Sequence, residues 1–260
     1  RALRNVLGRH LLGRLPESGL RLPCSRPRRL GNAAGHCNFK LRNKESDDDS
    51  LFVKNICKIS SIPFFSKDFD INIPKHSVQM SARKLRYEWF YQLLEIHKYD
   101  YILTAHHLND SIETFLINLI RSTGIDGLTG IKSINNKVIR PLLYFNKSQI
   151  MNYAFENKIQ WREDSSNKKN DYFRNKIRNK LLPVLKDIDS DFINNFSNTI
   201  DRLKDSSLIL KQYTESFKSL HFIENNDQIL ILKSTLINLS ETMIFNLFND
   251  YGFKKPEQIL

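Results

Sequence analysis

Apolar residues along the chain alternate between two spacings. Leu51, Phe52, Ile56 and Ile59 recur at helical spacing, and Ser46 followed by Asp47, Asp48 and Asp49 predicts the helix start. There a hydroxyl caps and acids sit on the positive end of the dipole. Pro63-Phe64-Phe65 opens a short strand. A long helix is predicted from about Val78 to His97, with Leu85, Trp89, Leu93 and Ile96 on one face. Tyr101-Ile102-Leu103-Thr104-Ala105 is a compact apolar run, the pattern of a strand buried on both faces in a parallel sheet. Helices follow over Asp110 to about Ser122, Asn146 to Asn157 and Tyr172 to Leu182, the last ending near Pro183. Gly124, Gly127 and Gly130 space a loop between the first two. Helices alternating with short apolar strands predict an α/β fold with crossover helices. After about Asp187, Phe192, Phe196, Ile200 and Leu203 set a helical period towards Leu220. A strand over Gln228–Leu232 and a helix over Glu241–Asn249 come next. This tail reads as a linker helix and the start of a second small domain.

Composition adds a boundary. The 260 residues are 40% hydrophobic and 26% charged, enough to bury a core, which excludes collagen, coiled coil and wholesale disorder. No run of eighteen apolar residues occurs, so no membrane partner is expected. Cys24, Cys37 and Cys57 are too scattered for a disulfide framework or a metal finger and suit a reducing, cytoplasmic setting. Forty basic against 28 acidic residues give +12, which points to a polyanionic partner, nucleic acid first. Residues 1–35 hold eight Arg, no Lys, one acid, five Gly and three Pro. The remainder carries 32 basic and 27 acidic residues, or +5. The break predicts a head at 1–35 that is not native to this fold. A targeting peptide is the alternative, opposed by Pro16, Pro23 and Pro27, which interrupt an amphipathic helix. The expected organisation is head 1–35, catalytic domain 36–187, and linker with second domain 188–260.

Five segments offer chemistry. The foremost is Thr104-Ala105-His106-His107-Leu108-Asn109-Asp110-Ser111-Ile112-Glu113-Thr114, where a buried strand ends and a helix begins. Ligands of open parallel sheets bind beyond the carboxyl ends of strands. Asp110 and Glu113, three apart, share a helical face. They suit magnesium or the ammonium of a cationic substrate; equally, Asn109 or Asp110 caps the helix with Glu113 as capping-box partner. Arg83 and Arg86 stand at the first turns of a helix, either a solvated basic face or a forked clamp on phosphate. The glycine loop follows Arg121, and Arg140-Pro141-Leu142-Leu143 forms a stiff strand exit. Trp161 to Asn167 leads to Tyr172 and a basic helix with Arg174, Lys176, Arg178 and Lys180. That helix is a solvated face or a track for an RNA backbone.

In order and spacing, these segments resemble the bacterial tRNA(Ile)-lysidine synthase family. The matching stretches are His36 to Arg42 with Glu45-Ser46, Gln79 to Phe90, Thr104 to Gly130, Arg140 to Leu143, Trp161 to Asn167 and Tyr172 to Pro183. The resemblance implies a PP-loop (N-type) ATP pyrophosphatase domain with a parallel, adenosine-binding sheet of the adenine nucleotide alpha hydrolase type. It implies ATP and Mg2+ as cofactors, with tRNA(Ile) and free L-lysine as substrates and a homodimer as the assembly. It further implies catalytic roles for His107, Asp110, Glu113 and Arg121, with Asp110 as metal ligand. ATP contacts fall to His36, Arg83, Arg86, Thr104 and His106, and RNA contacts to Arg174, Lys176 and Arg178, with closure over the site as the alternative role of the two arginines.

Two departures stand out. The family often shows two acids where this chain has Asn109-Asp110. The family's Ser-Gly-Gly-x-Asp-Ser phosphate loop does not occur in the 260 residues, and Gly8, Gly13 and Gly19 do not rebuild it. Backbone amides of such a loop cradle pyrophosphate, so the expectation is an incomplete domain with impaired ATP use. Alternatives are an inactive RNA-binding remnant and a tRNA-thiolating relative. The latter is disfavoured because Cys37 and Cys57 have no CxxC partner.

Overall fold

The computed structural model describes residues 31–42, 44–70, 78–163, 173–225 and 228–253. Most of the arginine-rich head, the stretch 164–172 and the last seven residues lie outside them. The described residues fall into two compact units, one of residues up to Ile120 with Gly130–Ile193, the other of Arg121–Thr129 with Asn194 onward.

The first unit contains two small sheets. Strand β1 (Ala34–Asn38) pairs in parallel with β2 (Phe64–Asp68), His36 opposite Ser66, with helix α1 (Lys44–Ile59) between them in sequence. Ala34 and Gly35, assigned by composition to the head, therefore belong to the sheet, and Ala34 is buried with Val53 and Cys57. The inward face of α1 is Val53 and Cys57; Leu51 and Ile59, expected inside, are exposed. The helix starts before Ser46, whose Oγ accepts the Arg42 N–H at 3.2 Å from within the first turn.

Helix α2 (Val78–Ile96) carries Trp89 and Leu94 into the core and turns Ile96 outward, against expectation. Its last turn is followed by β3 (Ile102–Leu103), which packs Ile102 with Leu94 and Val138. Helix α3 (Leu108–Ile120) follows. In the second unit, the glycine loop folds into a single turn, α4 (Ile125–Leu128), with Thr129 Oγ1 donating to the Asp126 carbonyl. Back in the first unit, β5 (Val138–Ile139) lies parallel to β3 and antiparallel to β4 (Ile134–Asn135). Helix α5 (Lys147–Glu156) begins at a complete capping box between Asn146 and Gln149.

The basic helix differs most from its sequence reading. It runs as α6 (Phe173–Lys176), a π-helical stretch (Ile177–Leu181) and α7 (Leu182–Ile188), continuing through Pro183. In the π-helical turn the Leu182 N–H donates to the Ile177 carbonyl, five residues back. The wider turn and the start of α7 at Leu182 accommodate Pro183, which has no N–H to offer.

Helix α8 (Phe192–His221) spans the boundary between the units. In the second unit, β6 (Ile223–Asn225) and β7 (Gln228–Leu230) form a hairpin, followed by α9 (Lys233–Ile237) and α10 (Glu241–Phe248). Ile244 and Leu247 are buried there, and Phe222, Phe248, Tyr251 and Phe253 gather their rings. Among the described residues, no helix is long and apolar enough to cross a membrane.

Candidate functional site

Two parallel strands, β3 and β5, end side by side, the Thr104 N–H donating to the Ile139 carbonyl at 3.0 Å. Past that edge the chain turns through His106 and His107 into α3. Thr104 Oγ1 lies 2.9 Å from Nδ1 of buried His106, which orients that imidazole. His107 is the residue before α3. Asp110 answers one of the two sequence alternatives directly: its Oδ2 accepts the His107 N–H at 3.1 Å, a helix-capping contact. Nε2 of His107 stands 3.6 Å from the same oxygen. Glu113 takes no part in the cap. Asn109 instead accepts the Lys147 N–H, tying α3 to the start of α5.

Asp110 and Glu113 are each only 1% exposed. Ionised carboxylates at that depth require counter-ions and hydrogen bonds, and the basic helix supplies both. Arg174 donates through Nε to Glu113 Oε2 at 2.6 Å and through Nη2 to the carbonyl and Oδ1 of Asp110. Arg178 donates through Nε to Glu113 Oε1 at 2.6 Å and through Nη2 to Oε2 at 2.9 Å. Its Nη2 also reaches Asp110 Oδ1 at 3.5 Å. The three-residue step on α3 thus meets a four-residue step on α6 and the π-helical turn. The resemblance gave Arg174 and Arg178 two roles, contact with tRNA or closure over the site; in the structure both bond the acid pair.

The same geometry tests the metal assignment. Both oxygens of Asp110 face N–H or guanidinium donors. Mg2+ needs only one or two carboxylates beside waters and phosphate oxygens, so a cation at Asp110 would take the place of the Arg174 and Arg178 guanidinium groups.

A second group gathers at the end of β1. Arg86 lies 5.4 Å over the Phe39 ring. His36, half-buried on β1, is held below its ordinary 6.5, first by desolvation; Asp49 pulls the other way, Arg86 adds to the lowering, and Asp68 opposes it. Asp49 ties the neighbourhood together, accepting from Arg42 Nη2 at 2.8 Å and pairing with Arg162 Nε at 2.9 Å. Sequence reading missed Asp49, though its acidic run was visible as a helix start. Arg83 is exposed and stacks 4.9 Å over Tyr87 on its own helix. Arg121 is exposed just past Ile120, a helix residue about 15 Å along the α3 axis from Asp110. Lys176 is exposed on the basic helix.

Residues 22–185 match the PP-loop domain family. The chain belongs to that family. It is 35% identical over 237 residues to the tRNA(Ile)-lysidine synthase of Porphyromonas gingivalis, covering 88% of this chain and 52% of that protein. The tRNA(Ile)-lysidine synthases of Bacteroides thetaiotaomicron and Chlorobaculum tepidum are each 38% identical, across 72% of this chain and 45% and 56% of theirs. The chain thus spans about half the length of these curated relatives. The resemblance read from its motifs holds, and the expected α/β fold of PP-loop type holds with it. Among solved structures, the U34-tRNA thiolase NcsA from Methanococcus maripaludis, with its [4Fe-4S] cluster, superposes with a TM-score of 0.51 at 15% identity. The match covers 66% of this chain and 61% of that one and speaks to the fold alone.

Proposed function

We propose that this chain is the catalytic part of an ATP-dependent ligase that joins free L-lysine to C2 of the wobble cytidine of tRNA(Ile). The observation that carries the reading is the buried Asp110–Glu113 pair beyond the parallel strand ends, in a chain related to lysidine synthases. In this chemistry the C2 oxygen of cytidine attacks the α-phosphorus of ATP and pyrophosphate departs. The lysine side-chain amine then bonds to C2, AMP leaves with the oxygen, and the amine gives up a proton. Adenylation is needed because an unmodified carbonyl oxygen is a poor leaving group. The target base must be unstacked, which a single-stranded anticodon loop permits.

Asp110 and Glu113 are assigned to the cationic end of lysine, which reaches them by exchange with a guanidinium of Arg174 or Arg178. His107 stands beside Asp110 to accept or hold a proton at Nε2. His36 and Arg86 at the β1 end, and Thr104 and His106 at the β3 end, are assigned to the nucleotide. Arg83 and Arg121, both exposed, are left for phosphate or RNA. The cytoplasm is the setting for such a substrate, and a homodimer remains the assembly we propose.

A second reading, an RNA-binding chain without ligase activity, is favoured by one observation: the acid pair is already satisfied by the chain's own arginines. Thiolation has less behind it. Cys57 is buried in the core, where burial pushes its thiol above the ordinary range, away from the reactive thiolate.

Transfer of labelled lysine to unmodified tRNA(Ile) with ATP separates these readings. The assay uses the 260-residue chain and the same chain fused behind a Ser-Gly-Gly-x-Asp-Ser segment. Label at the wobble cytidine, lost in Glu113→Gln, is the expected result. No label from either protein, with tRNA still bound, favours the non-catalytic reading; thiolated base formed in a parallel reaction given ATP and a sulfide donor favours thiolation.

A further inference from the structure

The basic helix has two chemically different sides. Arg174 and Arg178 point to Glu113 and Asp110, while Lys176 and Lys180 are exposed. Among the described residues, neither lysine enters an ion pair. Phe173, at the head of the same helix, is 43% exposed. Phe173 and Lys176 lie three residues apart in α6, and Lys180 follows in the π-helical stretch, all three exposed.

An aromatic ring followed by two unneutralised ammonium groups is the surface composition that binds single-stranded nucleic acid. A base stacks on the ring while the cations follow the phosphates. The arginines are already committed to the two buried carboxylates.

We propose that Phe173, Lys176 and Lys180 are the RNA-contacting edge of this helix, and that Arg174 and Arg178 are internal counter-ions that do not touch RNA. This rests on tRNA being the substrate. The ring is assigned to an unpaired base and the lysines to consecutive backbone phosphates. None of the three then contacts the reacting atoms, and their effect on turnover passes through RNA affinity.

The test is equilibrium binding of the 260-residue chain to fluorescent tRNA(Ile) across a salt series, with melting temperatures recorded for every variant. Lys176→Glu/Lys180→Glu is expected to fold like the unmodified protein, bind at least about tenfold more weakly, and show a salt slope smaller by about 1.4, the change for two phosphates of a single strand no longer neutralised. Phe173→Ala is expected to weaken binding with the slope unchanged. Full binding by both lysine and phenylalanine variants overturns the inference while the tRNA reading stands. So does a loss of affinity and slope in Arg174→Lys that matches the lysine variant at an unchanged melting temperature. No binding by the unmodified protein even at low salt overturns the tRNA reading itself, and the inference with it.

Discussion

Arg178 and Glu113 meet fork to fork, Nε to Oε1 at 2.6 Å and Nη2 to Oε2 at 2.9 Å, though they stand 65 residues apart in the chain. Two parallel charge-assisted bonds fix direction as well as distance. The pair therefore locks the basic helix to α3 in one rotational setting, and Arg174 repeats the lock one turn earlier.

The lock is asymmetric. The guanidinium side chains of Arg174 and Arg178 are 36% and 28% exposed, the carboxylates 1%. Removing both arginines strands two buried charges, whereas removing a carboxylate leaves cations that can turn to water. Arg174→Ala/Arg178→Ala is expected to cost about 3–5 kcal/mol of unfolding free energy. Glu113→Gln is expected to cost about 1–2 kcal/mol, the scale of a weakened hydrogen-bond set. Urea denaturation ranks them; equal losses, or the reverse order, would show that the arginines do not neutralise the pair.

His36 gives a pH signature. Its folded pKa lies below the ordinary 6.5, chiefly through burial. Above that value the imidazole is neutral in both states and costs nothing. As pH falls through 6.5 the unfolded chain takes up a proton that the folded chain resists, so stability drops until the folded pKa is passed. Melting temperatures between pH 8 and 5.5 should fall more steeply for the unmodified protein than for His36→Asn. Parallel curves would remove His36 as the titrating group.

Gly35 is a packing prediction. A Cβ there would stand 2.9 Å from Cε1 of Phe90, whose ring lies in the Leu94–Ile102–Val138 cluster. Gly35→Ala should therefore destabilise the fold by about 1–3 kcal/mol through overpacking. Phe90→Leu, which removes the ring edge, should recover part of the loss in a double-mutant cycle. Strict additivity of the two changes would mean that the contact is not responsible.

Phosphate binding is expected to be the weak function of this polypeptide. The family's Ser-Gly-Gly-x-Asp-Ser loop, whose backbone amides cradle pyrophosphate, does not occur among the 260 residues. Calorimetry should give a Kd for ATP weaker than about 1 mM, less than about 4 kcal/mol. Micromolar affinity would mean that other residues hold the phosphates.

The strand-end location of Asp110 and Glu113 was legible because a compact apolar run followed by a polar turn has few other meanings in an alternating α/β pattern. Their partners were not. A basic helix reads the same whether its cations face solvent, RNA or buried acids 60 residues away, because only the tertiary fold selects among those faces. On α1, Leu51 and Ile59 share helical spacing as Val53 and Cys57 do, and packing against Ala34 selects the second pair. The strands were overestimated in length, since apolar flanks such as Tyr101 continue the pattern without joining the hydrogen-bonded ladder.

The π-helical stretch at Ile177–Leu181 is equivalent in phase to one surplus residue in an α-helix. Excising a single residue there would restore regular winding and leave Pro183 to Ile188 on the faces they now present, because the wide turn already absorbs the surplus residue. The segment ahead of the turn and the segment behind it therefore share one angular register. A one-residue deletion is the length change this stretch of chain is best placed to absorb.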